Sequence, residues 1–313
     1  MHKTKIIRKL KTLVLPGFDG IPILRVLDFF YKGVLNGAIT TRASAISFSM
    51  FLALFPALIF LFTLIPFIPV DNFQDVLLSL LYDVIPHKAW EAVESTLIDI
   101  ITRPRGGLLS FGFVLALFFS TNGINSLIDA FNASYHTMEF RGIIMQRWVA
   151  IVLVFVLSIL LIVAISTITI GTNFFNYLDE EDILRDRFVI YLIQWIRWIV
   201  LVALTYFGIS FIYYWGPAKR TPFKFFSAGS SLATLFMMLS NIGFNYYANN
   251  LARYNALYGS IGTLLLILLW VYFNSIIVLI GFELNASILN AGMKSKAKNN
   301  MPLAKPLSKK KNK

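Results

Sequence analysis

From Tyr258 to Leu284 the chain reads YGSIGTLLLILLWVYFNSIIVLIGFEL, apolar but for Ser260, Thr263, Asn274, Ser275 and one acid, Glu283. As a helix this run is about 40 Å long, more than the roughly 30 Å hydrocarbon core of a bilayer. A soluble core helix has no use for such a length, and a sheet cannot take it in one piece. It is read as the last transmembrane helix, about residues 258–285. Gly259 and Gly262 near its start are small enough to let another helix approach closely. Composition supports the membrane reading. Only 14% of the residues are charged and 57% are hydrophobic, against about 25% charged in ordinary globular domains.

Five further apolar runs precede it, giving an all-α membrane protein of six transmembrane helices with interfacial amphipathic helices beside them. The spans are expected at about 43–70, 108–128, 148–170, 191–215, 225–247 and 258–285. Residues 1–42 form a basic segment in which Ile21 to Leu35 alternates apolar and charged residues at helical spacing, as an interfacial helix does. In the first span Ala45, Ser49, Ala53 and Ala57 recur every four residues, a row suited to close helix packing. Residues 71–107 carry apolar residues at helical intervals among acids, predicting two amphipathic helices on the outer surface, broken at Pro86. Asp179 to Asp182 reads as a solvated acidic loop. Residues 291–313 read as a disordered basic tail. The six-span membrane domain thus covers 43–290.

Six spans put both termini on one side. That side holds 21 of the 28 Lys and Arg residues; the other holds seven, with eleven of the sixteen acids. The positive-inside rule then places both termini in the cytoplasm of a bacterial inner membrane. The net charge of +12 is accounted for by orientation and by attraction to anionic lipid headgroups, so no nucleic-acid partner is expected. With no cysteine, disulfides and thiolate chemistry are excluded. His2, His87 and His136 fall on opposite sides of the membrane, so no histidine metal site assembles. Neither a Walker A sequence nor a G-x-S-x-G elbow occurs. No catalytic residue and no cofactor is predicted.

Three segments resemble the YihY/virulence factor BrkB family of bacterial inner-membrane proteins. They are RASAISFSMFLALFPALIFL at 42–61, NASYHTMEFRG at 132–142, and the run from Tyr254 to Ile288, which ends in Gly281-Phe282-Glu283-Leu284-Asn285. Phe282 stands where the family pattern has a small residue. The resemblance implies a polytopic membrane fold and says little about chemistry. A ribonuclease label has been attached to members of the family, and these residues give it no support.

What remains is a set of polar side chains at membrane depth: Asn122, Asn125 and Asp129 in the second span, Asn241 and Asn245 in the fifth, Asn274 and Glu283 in the sixth. Each must be satisfied inside the bundle or by water. If the three helices meet, the seven residues line a polar cavity. The function read from this is transport or flipping of an amphiphile or envelope lipid precursor without ATP. A non-catalytic scaffold in envelope assembly is the alternative, and a membrane-bound enzyme the third reading. Glu283 is expected to need a partner, with Arg42 or the basic turn at 217–224 within reach.

Overall fold

In lipid a backbone can satisfy its polar groups only within its own helix or in a closed barrel, so apolar runs of this length fold as helices. The computed structural model describes residues 13–67, 74–75, 78–79, 82, 87–134, 141–180, 187–218, 225–250 and 260–299. Among these there are eight long α-helices and no strand: α1 Ile23–Asn36, α2 Ile39–Leu64, α3 His87–Thr102, α4 Gly106–Asn132, α5 Ile143–Glu180, α6 Arg187–Trp215, α7 Ala228–Asn250 and α8 Ser260–Asn299. The all-α membrane class is as the sequence predicts.

Among the described residues, five stretches are long and apolar enough to cross a bilayer: Ile39–Phe67, Gly106–Asn132, Ile143–Thr167, Gln194–Trp215 and Gly262–Lys294. The remaining candidate, α7, covers the expected fifth span. At 23 residues it is about 34 Å long, enough to cross. Its serines and asparagines keep it below the hydropathy of the other five.

Two boundaries differ from expectation. Helix α8 does not stop near 285 but runs to Asn299, through the start of the segment expected to be a disordered tail. The reason is local packing. Leu284, Ile288 and Ala291 recur at helical spacing and pack with Phe18, Ile21 and Val26 of the N-terminal segment and α1. Helix α5 likewise continues to Glu180, into the expected acidic loop. In the 71–107 segment, α3 begins directly after Pro86 as predicted. The helix expected before it falls largely outside the described residues, as do 181–182 of the acidic loop, Gly259, and 300–313 of the tail.

Helix α1 is amphipathic in an unusual sense. One face, with Val26 and Gly33, is buried, while Leu27, Tyr31 and Leu35 form an exposed apolar row at intervals of four. That is the pattern of a helix lying between protein and membrane surface. Exposed apolar side chains also cover α5 and α6, among them Phe155, Ile159, Ile162, Trp195 and Trp198. Such a surface suits lipid and would be an aggregation liability in water.

Helices α2 and α4 form the most extensive pairing in the bundle, with Ser126 donating to Ser49 at 2.8 Å. Of the predicted small-residue row, Ala53 is buried, Ser49 and Ala57 are half-buried, and Ala45 is exposed. A row spaced by four winds about 40° per step around the helix. The row therefore cannot keep all four members on one seam, and Ala45 has turned out of it.

The main core is built by five helices: Ile39, Ala43 and Ile46 of α2, Leu127 and Phe131 of α4, Ile209 and Tyr213 of α6, Ala233 of α7, and Leu279, Phe282 and Ala286 of α8.

Candidate functional site

Glu283 sits in that core with no exposed surface. Its Oε1 accepts a 2.8 Å bond from Nη2 of Arg42, and its Oε2 accepts from the Ser134 hydroxyl at 3.0 Å. Arg42 also donates from Nη1 to the Ala130 carbonyl at 2.6 Å. Ala130 lies in the last turn of α4, where carbonyls have no partner within the helix. The guanidinium therefore satisfies a helix end and a carboxylate together, tying the start of α2 to the end of α4 and to α8. Taking both ions out of water costs several kcal/mol each, which the bonds to both carboxylate oxygens and from both terminal guanidinium nitrogens offset. The buried Arg42 Nε has no hydrogen-bond partner. The turn between α1 and α2 closes over the pair. A side chain at Gly37 would meet Nη2 of Arg42 at 2.9 Å and Oε1 of Glu283 at 3.4 Å, so only glycine fits there.

Each residue from Gly281 to Asn285 makes a distinct contact. Gly281 lies against Gly229 and Ala233 of α7 and against the Tyr213 hydroxyl, which donates to the Val278 carbonyl at 2.6 Å. Phe282 is fully buried and stacks on Phe131 with ring centroids 4.3 Å apart. Leu284 joins the cluster with Phe18, Ile21 and Val26. Asn285 accepts from the Gly229 amide at 2.8 Å and donates to the Ser227 hydroxyl at 2.9 Å. Ser227 in turn accepts from the Ser230 amide at 3.1 Å, an N-cap on α7. One turn of α8 thus fixes the entry of α7 and the buried charge.

Beside this turn a lateral cavity of about 770 Å³ lies along α6 and the start of α7, bordered by Pro16 and Gly17. Trp195, Trp198, Val202 and Phe207 make most of its wall apolar, and Tyr206, Ser227 and Ser231 give it one polar end. The Tyr206 oxygen accepts from the Ser227 amide at 3.2 Å. Ser227 therefore belongs both to the cavity wall and to the network that holds Asn285.

The seven polar residues expected to converge separate into three groups. Asn122 accepts from Arg147 at 2.6 Å and Asp129 from Gln146 at 2.7 Å, so these two turn toward α5. Asn125, on the same helix, has a buried Oδ1 with no hydrogen-bond partner. Asn241 accepts from the Trp270 indole at 3.0 Å, and Asn274 donates to the Trp270 carbonyl at 2.8 Å; Asn245 is exposed on α7. Glu283 stands apart from these. Nine residues separate it from Asn274, which is about half a turn at 100° per residue, so the two point to opposite sides of α8. None of the seven lines the lateral cavity. Gly262 is buried. Ser134 and Tyr213 did not stand out in the sequence, and Ser227 only as a serine four residues before Ser231. The signal available for Ser134 and Asn285 was their place in the family-like segments. Among the described residues, no three His, Cys, Asp or Glu side chains group as metal ligands would.

A family model described as virulence factor BrkB matches residues 30–304. The chain belongs to the virulence factor BrkB family. It is 29% identical over 252 residues to a protein of Bacillus subtilis named putative ribonuclease-like protein YfkH, covering 79% of this chain and 88% of that one. It is 23% identical to a UPF0761 membrane protein of Vibrio campbellii, covering 83% and 81%. A third relative, UPF0761 membrane protein NTHI0384 of Haemophilus influenzae, is 22% identical, covering 84% and 94%. No solved structure matches with significance. This BrkB family chain is an integral membrane protein whose surface contacts lipid. The three segments that carry the family resemblance meet at one point: Arg42 comes from the first, Ser134 from the second and Glu283 from the third.

Proposed function

We propose that this BrkB family protein takes an amphiphile from the membrane into the lateral cavity along α6 and α7 and passes it across the bilayer without ATP. The cavity is the observation that supports this reading. Its volume lies within the range of about 300–1,000 Å³ usual for ligand sites. It pairs an apolar wall for an acyl chain with a polar end at Tyr206 and Ser227 for a headgroup or its glycerol. The buried pair of Arg42 and Glu283 holds the framework against which α7 would move. No catalytic step is assigned to the protein, and the ribonuclease-like wording belongs to the Bacillus relative's name.

Ala203, in the cavity wall, is the position to fill. Purified wild-type protein should be labelled by a phospholipid with a photoreactive acyl chain, and Ala203→Trp should reduce that labelling about tenfold, equivalent to about 1.4 kcal/mol of binding. Proteoliposomes should scramble a fluorescent phospholipid analogue, and the same variant should slow them. Undiminished labelling in the filled variant would remove the cavity from the function and leave a scaffold.

The proposed orientation places both termini in the cytoplasm, with α7 completing six spans. The chain lacks cysteine, so single cysteines report without background. Cysteine at exposed Glu94 should react with an impermeant thiol reagent added to intact cells; cysteine at exposed Lys32 should react only after the membrane is opened. Labelling at Lys32 in intact cells would overturn the orientation.

A further inference from the structure

We propose that a second cleft, between the start of α5 and the end of α6, binds the phosphate of an anionic phospholipid headgroup. The cleft holds about 640 Å³ and shares no lining residue with the lateral cavity. Its walls include Arg141, Trp148 and Val152 on one side and Tyr214, Trp215 and Pro217 on the other, with no acidic residue among them.

Three observations point to a lipid phosphate. First, Arg141 is held in the wall by donating to the Pro217 carbonyl at 2.8 Å. A guanidinium carries five N–H donors in a planar fork suited to two phosphate oxygens, and it stays charged at any physiological pH. Second, three aromatic side chains with polar atoms, Trp148, Tyr214 and Trp215, line the same cleft, and Trp148 and Tyr214 are more than half exposed. Tryptophan and tyrosine favour the depth of headgroups and glycerol, where one end of the ring is wet and the other dry. Third, the apolar residues beside the cleft are open to the surroundings: Ile143 is 89% and Ile144 78% exposed. In water that surface would be costly, so it marks where acyl chains run past the cleft mouth.

The end of the bundle adds to the case. The Ala218 amide beside the cleft donates to Asn132 at 2.7 Å, which puts the cleft at the same end of α4 as Ala130 and its Arg42 contact. Arg42, Arg141 and Arg147 lie near this end, with Asp129 and Glu283 as the acids of α4 and α8 there. Asp129 is turned to Gln146 and Glu283 to Arg42. A lipid with a negative phosphate and no compensating amine suits such a site better than a zwitterionic one.

The test is native mass spectrometry on the full-length protein in detergent, titrated with phosphatidylglycerol and with phosphatidylcholine of identical chains. Wild type should retain phosphatidylglycerol in clear preference, and Arg141→Gln should weaken that retention about tenfold while phosphatidylcholine binding stays unchanged. Arg141→Gln also gives up the bond to Pro217, so a second variant is needed. Val152→Trp keeps Arg141 and fills the cleft, and it should lose the preference too. Ala203→Trp, in the other cavity, should keep it, which separates this proposal from the transport reading. An undiminished preference in both cleft variants overturns the proposal. So does displacement of the lipid by inorganic phosphate alone, which would mean that the site reads free phosphate.

Discussion

Arg42→Ala should destabilise the protein by about 3–5 kcal/mol, because it leaves the wholly buried Glu283 carboxyl without its counter-charge and with only Ser134 to bond it. The same change strips the Ala130 carbonyl of its partner at the end of α4. Replacing both ions with apolar residues of similar size, Arg42→Met with Glu283→Leu, should recover most of the loss, since the desolvation cost disappears with the charges. Glu283→Gln keeps the shape but leaves the guanidinium without its counter-charge, so it should fall between wild type and Arg42→Ala. Tryptophan fluorescence during an SDS titration in mixed micelles measures all four. An unchanged midpoint for Arg42→Ala, or a double variant as unstable as the single one, would show that the pair does not hold the bundle. The double variant has a second use. If it is stable yet no longer passes lipid, the charge itself serves transport.

At the crossing of α7 and α8, Gly229→Ala should cost about 3 kcal/mol, the upper end for overpacking a tight interior. A Cβ there would lie within contact distance of the Gly281 carbonyl and 2.6 Å from the Asn285 side chain. The obstacle is partly backbone, so relief requires moving a helix rather than turning a rotamer. Gly281→Ala meets the Tyr213 hydroxyl at 2.5 Å, the Gly229 carbonyl at 2.7 Å and Ala233 Cβ at 2.8 Å, and should be comparably harmful. Gly243→Ala on the same α7 provides the contrast. Nothing lies within 4 Å of its added methyl, so it should be neutral or stabilise by up to about 1 kcal/mol through helix propensity. Thermal unfolding of the three variants in one detergent tests the ordering. Equal effects at Gly229 and Gly243 would mean that the close approach of α7 and α8 is not needed.

Hydropathy and length determined the class of this protein, because a run such as 258–284 has only one stable state in a bilayer. Local period determined α1, whose apolar and charged residues alternate as on any interfacial helix. The need of Glu283 for a partner was legible too, since a lone carboxylate in the apolar run of a span is costly. What the sequence could not determine was which faces meet. In a soluble protein the apolar stripe of a helix marks its buried side. Here the spans are apolar all round, and lipid accepts any face. Facing is then decided by the few places where helices approach closely or exchange hydrogen bonds. Gly229 against Gly281, Asn285 on the start of α7, and Arg42 between Ala130 and Glu283 are such places, and each joins residues far apart in the chain. For the same reason the seven polar residues did not gather: Asn122 and Asp129 of α4 turned to α5, and Asn274 and Glu283 took opposite sides of one helix. The continuation of α8 beyond 285 was likewise a tertiary decision, since Leu284, Ile288 and Ala291 had no apolar partner until α1 and the segment before it folded against them.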